Sequence, residues 1–461
     1  MRRRLLVIGG DAAGMSAASQ ARRRRTPDEL EIVAFERGNY TSYSACGIPY
    51  LVGGEVTEVD DLVARSPEVF RAKHAIEARM RHEVEEIDLA RGAVLVRDLE
   101  RGATSWEGYD DLMIATGAVP RRPELPGSDA PGIFGVQVLD DGVAVREAVL
   151  AGAKRAVVIG GGYIGVEMAE AMVRRGLDVT LVDRGPEVMS TLDPDMGALV
   201  REALCGMGID IHTSCAVEGF ATADGKVTAV VCEDGEFPAD LVVLGLGVRP
   251  NSDLAAAAGV PVGVTGGIPT DLRQHAYADA VWAAGDCVET YHLVARRPVA
   301  IALGTHANKQ GRVAGINLGG GYATFPGVVG TAVSKVCDFE IARTGLKEVE
   351  ATRAGFEFLT VVVESTTRAG YYPGTTAITV KVIAERRSGR LLGAQIVGRE
   401  GAAKRIDVFA AALWNEMDVH AMLNMDLSYA PPFSPVWDPV LIAARKAWEA
   451  VEADVVRSGP D

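Results

Sequence analysis

Cys46 lies in the segment TSYSACGIPYLVGG, residues 41 to 54, in a setting that suits a redox thiol better than a packing residue. Gly47 and Pro49 interrupt regular structure beside it, and a short helix starting nearby would stabilise a thiolate. Position 41 is Thr, so a disulfide made by Cys46 must be with something other than a neighbouring cysteine. A second chemical pattern is G-x-G-x-x-G at Gly160, Gly162 and Gly165. The first glycine permits a tight turn, the second lets backbone approach a pyrophosphate, and the third lets helix pack on strand. Asp183, at the end of the next apolar run, can accept from both hydroxyls of a ribose, which favours NADH, while Arg184 beside it leaves NADPH open. An earlier turn is less regular. Gly9 and Gly14 fill the first and third positions, Asp11 occupies the middle, and Glu36 is the expected ribose acceptor. The carboxylate of Asp11 is expected to turn away from the anion.

These residues sit on a repeated unit. Residues 4 to 38 and 155 to 185 each read as an apolar strand, a Gly-rich turn, an Ala-rich helix, a second apolar strand and then acid-Arg-Gly. Runs such as VVIG and VTLV are near-continuously apolar, as parallel strands covered on both faces require. Two doubly wound α/β domains follow. Residues 329 to 461 differ: ITVKVIAE (378 to 385) alternates, RRSGR (386 to 390) is a turn and LLGAQIVG follows, which predicts an antiparallel sheet with one exposed face. A helical stretch over 401 to 423 and the Pro-rich 430 to 439 complete an α+β unit suited to an interface.

The 461 residues carry Lys+Arg 47 against Asp+Glu 62, a formal charge of −15, which argues against nucleic acid as a partner. No apolar run approaches the roughly 18 residues of a membrane span, and Met1 to Arg4 reads as the solvated start of a strand rather than a signal segment. Six cysteines without a CxxC pair or zinc spacing predict no metal and a reducing, cytoplasmic location.

DDLMIATGAVP (110 to 120) and VWAAGDC (281 to 287) resemble the signatures of flavoproteins that bind two dinucleotides. That resemblance implies FAD at the first turn, with Ala115, Thr116, Gly117 and Asp286 around it, and NADH or NADPH at the second, with Tyr163 and Glu167 beside the nicotinamide. GGDAAGMSAASQARR, SACGIPYLVGG, PEVFRAKHAIEARMRHEV, GGGYIGVEMAE, GVRPN, ANKQGR, YYPGT and YAPPFSPVWDP together resemble the coenzyme A-disulfide reductase family over nearly the whole chain. The family's two-dinucleotide fold implies an FAD-binding domain at 1–118 and 250–328, an NAD(P)H-binding domain at 119–249 and a dimerisation domain at 329–461.

The resemblance further implies a homodimer in which Cys46 forms a mixed disulfide with CoA. Tyr429 and either Tyr371 or Tyr372 then reach the cysteine of the partner and supply a proton or hydrogen bond to the departing thiolate. Arg22, Ser42 and Lys73 are the implied substrate contacts, although the run Arg22 to Arg25 reads equally as a solvated face. Two positions depart from the family: Ala45 stands where Asn is usual, and Gly304-Thr305-His306 where Gly-Pro is usual. Both put the disulfide substrate in question more than the cofactors. The expected activity is therefore NAD(P)H-driven reduction of a small disulfide or persulfide. No rhodanese-like segment is present, so sulfur transfer by an appended module is not expected. The alternatives are an NADH oxidase or peroxidase cycling Cys46 through sulfenic acid, and an electron-transfer flavoprotein reductase with an inert cysteine.

Overall fold

A computed structural model describes residues 2–233 and 235–458; Met1, the first residue of the basic start, and the last three residues of the predicted third domain lie outside the described residues. Both expected βαβ units form. In the first, Arg3–Ile8, the helix Ala12–Arg22 and Leu30–Glu36 build the centre of a five-stranded parallel sheet. Its outer strands are Glu77–Met80 on one side and Asp111–Ile114 then Val281–Ala283 on the other. In the second, Arg155–Ile159, the helix Tyr163–Arg174 and Asp178–Val182 are flanked by Asp210–His212 and by Leu241–Leu244 then Ile133–Gly135, again all parallel. Leu5 to Val7 and Ala156 to Val158 are buried, as strands covered on both faces must be.

The duplication extends further than the glycine turns. Each parallel sheet is interrupted by a three-stranded antiparallel meander, His82–Asp88 to Thr104–Gly108 in the first and Val217–Ala223 to Gly235–Pro238 in the second. Two short strands, Ala118–Pro120 and Val248–Pro250, pair antiparallel where the chain leaves and re-enters the first unit. The helix Gly304–Leu318 lies so close to Ala12–Arg22 that a Cβ on Gly311 would sit 2.2 Å from the carbonyl oxygen of Ala13.

The third region is the expected antiparallel sheet, in the order Ala332–Val336, Phe339–Gly345, Leu391–Gly398, Ala377–Glu385, Phe358–Thr366. One expectation fails here: the central strands Ala377–Glu385 and Leu391–Gly398 are buried on both faces. Helices Ile406–Trp414 and Pro439–Ser458 pack against this sheet. Gln395 bonds to Asp193, and Lys381 to Asp193 and Asp195, of the second βαβ domain, so that domain covers Lys381, a charged position the alternation had assigned to solvent. The predicted helix over 401–423 is broken at 415–418 into Ile406–Trp414 and Val419–Leu423. No helix among the described residues is long and apolar enough to cross a membrane.

Candidate active site

Side-chain carboxylates shape both glycine turns in the same way. Glu36 accepts from the N–H of Gly10 through Oε2 and of Gly38 through Oε1, both at 2.8 Å. Asp183 accepts from the N–H of Gly161 through Oδ2 and of Gly185 through Oδ1, both at 2.6 Å. Each acid thus closes its own turn and sits at the end of its strand, where a ribose would meet it. Gly14 and Gly165 are demanded by packing: a Cβ would lie 2.0 Å from the Gly9 carbonyl oxygen in one case and 1.8 Å from that of Gly160 in the other. The middle position is different. A Cβ on Gly162 would meet nothing within 4 Å, so the fold tolerates a side chain there, and in the first turn it carries one, Asp11. Its Oδ1 accepts from the N–H of Tyr43 at 3.1 Å.

A single cavity of about 2610 Å³ joins the two turns. From the first half it is lined by Gly9, Glu36, Ala115, Thr116, Gly117 and Asp286. From the second half come Gly160, Gly162, Tyr163, Glu167 and Asp183. Cys46 opens into the same cavity from the turn Ala45–Gly47, just ahead of the helix Ile48–Gly53. Burial pushes the carboxyls of Asp11 and Asp286 up to about 6. Thr116 Oγ1 donates to the carbonyl of Asn251 at 2.5 Å and Asn251 Nδ2 donates back to that of Thr116 at 3.2 Å. The Gly285 N–H, next to Asp286, donates to Gln310 Oε1 at 2.9 Å. A wide, glycine-floored trough with a fixed acid at each end fits a dinucleotide in each half.

The expected stabilisation of a Cys46 thiolate is not what the site delivers. The six-residue helix is present, but burial in the cavity wall and then the carboxylate of Glu167 push the thiol up. Glu167 is itself raised by burial, and its Oε1 accepts from Ser334 Oγ at 2.6 Å. Ser334, Asn251 and Gln310 escaped the sequence reading because each reaches its partner across the fold rather than along the chain.

The tyrosines lie elsewhere on this chain. Tyr371 and Tyr429 are close neighbours, 78% and 47% exposed, and neither lines the cavity. Tyr372 is half-buried and takes no part in that pair. Arg22, Ser42 and Lys73 also lie outside the cavity lining. The guanidinium of Arg22 is spent on the carbonyls of Arg25, Leu30 and Ala75. Through Ala75 it holds the end of the helix Pro67–His74, on which Lys73 is exposed. Ser42 adopts φ 50 and donates its backbone N–H to the carbonyl of Gly10 at 3.1 Å, serving the first turn.

Comparison with known proteins agrees with this architecture. Residues 3–311 match the pyridine nucleotide-disulphide oxidoreductase family and residues 331–439 match its dimerisation domain. The chain is 39% identical over 447 residues to an NAD(P)H sulfur oxidoreductase (CoA-dependent) of Pyrococcus abyssi, covering 96% of this chain and 98% of that one. It is 34% identical to an NADH oxidase of Methanocaldococcus jannaschii over 96% and 98% of the two chains. Its fold superposes with a TM-score of 0.94 on an NAD-dependent persulfide reductase from A. fulgidus, 40% identical and covering 98% of this chain and 84% of that one. With two dinucleotide turns on one cavity, a thiol between them and matches that span nearly its full length, the chain belongs to the pyridine nucleotide-disulphide oxidoreductase family.

Proposed function

We propose that this protein is a homodimeric, FAD-dependent NAD(P)H:disulfide oxidoreductase that reduces a CoA-disulfide, a CoA persulfide or a similar low-molecular-weight disulfide through Cys46. The observation that carries the reading is that Cys46, Glu36 and Asp183 all face one cavity. Gly9, Glu36, Ala115 to Gly117 and Asp286 would hold the FAD, and Gly160, Gly162, Tyr163, Glu167 and Asp183 the NAD(P)H. Bound FAD supplies a two-electron relay between NAD(P)H and sulfur. The domain limits that suit this division are 1–118 with 250–328, 119–249 and 329–461, and the paired strands Ala118–Pro120 and Val248–Pro250 support the first two. Sparse cysteines without a CxxC pair suit the cytoplasm.

The chain's own chemistry is thiol exchange. The Cys46 thiolate attacks one sulfur of the incoming disulfide, the S–S bond breaks, and the first thiol departs with a proton from Tyr429 of the partner subunit. Two electrons and a proton then break the mixed disulfide, release the second thiol and restore the Cys46 thiolate, while solvent returns a proton to Tyr429. The sum is RSSR + NAD(P)H + H⁺ giving two RSH and NAD(P)⁺. Exposure of the Tyr371–Tyr429 pair, away from this chain's own cavity, favours service to a second subunit. For a CoA substrate, exposed Lys73 is the contact we assign to phosphate, with Arg22 and Ser42 supporting the backbone behind it.

The similarity to an NADH oxidase favours one other reading, in which Cys46 cycles through a sulfenic acid and oxygen or peroxide is the acceptor. Intact mass of protein purified without added thiols, denatured without reductant and peptide-mapped, separates the two. A CoA-sized, reductant-labile adduct on Cys46 is the expected result. One added oxygen at Cys46 with no disulfide turnover overturns the disulfide reading in favour of the oxidase.

A further inference from the structure

The duplication of the two βαβ units runs on past the ribose acids, into the loop that carries the thiol in the first copy. Ser42 stands six positions after Glu36, and Met189 six positions after Asp183. Both adopt the left-handed backbone, φ 50 and φ 52, which is uncommon for residues other than glycine. Each donates its backbone N–H to the second glycine of its own turn, Ser42 to the Gly10 carbonyl at 3.1 Å and Met189 to that of Gly161 at 2.7 Å. Counted onward from there, the position of Cys46 in the first copy is that of Asp193 in the second.

What holds the two loops differs. The first pairs within its own unit: Ser44 donates its N–H to the Leu62 carbonyl and Ala64 donates to that of Ser42, both at 2.8 Å. The second is held from the dimerisation domain. Arg343, 9% exposed, donates through Nη1 to the Thr191 carbonyl at 2.7 Å. Its Nη2 donates to the Gly345 carbonyl at 2.6 Å and to Glu350 Oε2 at 2.9 Å, which fixes the guanidinium. Lys347 Nζ donates to the Ser190 carbonyl, and the Lys347 N–H donates to the same Glu350 oxygen at 3.0 Å. The Asp193 carboxylate accepts from Gln395 Nε2 at 2.6 Å and from the Glu348 N–H at 3.0 Å. One short loop is thus tied to the glycine turn at Met189 and to the interface domain at Ser190, Thr191 and Asp193.

Ser190 and Thr191 line the cavity together with Tyr163 and Glu167, and Thr191, Arg343 and Glu167 are close neighbours of the Tyr163 hydroxyl. Arg343 and Lys347 lie outside the cavity lining, so they act on a bound nucleotide through the loop rather than by contact. We propose that Arg343 and Lys347 are positioning residues, through which the dimerisation domain holds Ser190 and Thr191 as a wall of the second dinucleotide site and so sets its affinity for NAD(P)H. This inference rests on the reading of the second turn as the NAD(P)H site.

The test is calorimetric titration of the FAD-loaded enzyme with NAD⁺ and with NADP⁺, neither of which reduces the flavin, for wild type, Arg343→Met, Arg343→Lys and Lys347→Met. Anaerobic stopped-flow reduction of the flavin by the reduced form of the tighter nucleotide follows. Flavin absorbance and the thermal midpoint report whether each variant is folded. In Arg343→Met the Kd and the half-saturating concentration should rise together, on the order of tenfold, while the limiting rate of flavin reduction changes less than about threefold. The wall is loosened, but no group that touches the reacting atoms is lost. Arg343→Lys, which keeps a cation beside the Thr191 carbonyl, should recover most of the affinity. Lys347→Met, which frees only the Ser190 carbonyl, should raise Kd about twofold to fivefold, and it carries the test if Arg343→Met does not retain FAD. An unchanged Kd in the variants that fold, whatever their thermal midpoints, overturns the proposal and leaves the dinucleotide site standing. Failure of both nucleotides to bind the wild type overturns the reading of the second turn and the inference together.

Discussion

Ser334 Oγ donates a hydrogen bond to Oε1 of Glu167 at 2.6 Å, joining the first strand of the C-terminal sheet to the helix that opens the second dinucleotide site. Through this contact the interface domain reaches the residue that most directly opposes ionisation of Cys46, apart from burial itself. The thiol therefore needs help to ionise, and Glu167 should tune how much.

Replacing Glu167 with Gln removes a negative charge beside the thiol, so the Cys46 pKa should fall and thiolate should appear at lower pH. The variant should be alkylated by iodoacetamide about threefold to tenfold faster than wild type at mildly alkaline pH, where Glu167 is ionised. Rate against pH for both proteins checks it. A profile that stays in place or moves upward shows that Glu167 does not govern the thiol.

Tyr429→Phe should slow disulfide turnover on the order of tenfold to a hundredfold, as loss of a general acid does. NAD(P)H-driven bleaching of the flavin absorbance, which precedes thiol exchange, should be affected far less. Tyr371→Phe, which breaks the phenol pair, should share part of the defect, while Tyr372→Phe should cost less than about twofold. Equal losses at Tyr371 and Tyr372 would contradict the assignment of the pair.

Lys381 is 3% exposed at its side chain and holds Asp193 at 3.2 Å, Asp195 at 2.7 Å and Glu348 at 2.8 Å. Lys381→Met leaves the equally buried carboxylate of Asp193 without its cation, which should cost about 3–5 kcal/mol in urea unfolding of the FAD-loaded enzyme. Adding Asp193→Asn to that variant should return part of the loss, because the stranded charge goes with it. A single variant within about 1 kcal/mol of wild type would show that the cluster contributes little.

His292 is buried, with its Nδ1 accepting from the N–H groups of Val294 and Ala295, both at 3.2 Å. Burial lowers its pKa to about 4, with Arg343 adding to the effect and Glu350 opposing it. The unfolded chain takes up a proton near pH 6.5 that the folded chain refuses until about 4, so this group costs stability as pH falls through that window. His292→Gln removes the cost. Relative to wild type, the variant should gain about 2 kcal/mol between pH 7 and pH 5 in urea midpoints. His306, lowered to about 4 by burial, contributes in the same direction in both proteins, whereas Asp11 and Asp286, raised to about 6, act oppositely and cancel from the comparison.

Much of the site is written locally and could be read without the fold. The two glycine turns, the acids Glu36 and Asp183 and the strands before them depend on contacts within some thirty residues of sequence, where spacing and apolar runs are sufficient. The contact that Asp11 makes with the N–H of Tyr43, by contrast, spans 32 positions and is revealed only by the packed turn. Tyr371 comes to lie beside Tyr429, 58 positions further along the chain, a neighbour that no local pattern foretells. The raised Cys46 thiol is the work of burial in the folded cavity and then of Glu167, more than a hundred residues away, which together override the helix that the local sequence predicts. Lys381 reads as a solvent-facing charge by alternation, yet it is buried because a different domain supplies its carboxylates. Val281–Ala283 joins the first sheet beside Asp111–Ile114 after the whole second domain has intervened. Periodicity records which face of an element is apolar; only the tertiary structure decides which distant group arrives to cover or ionise the rest.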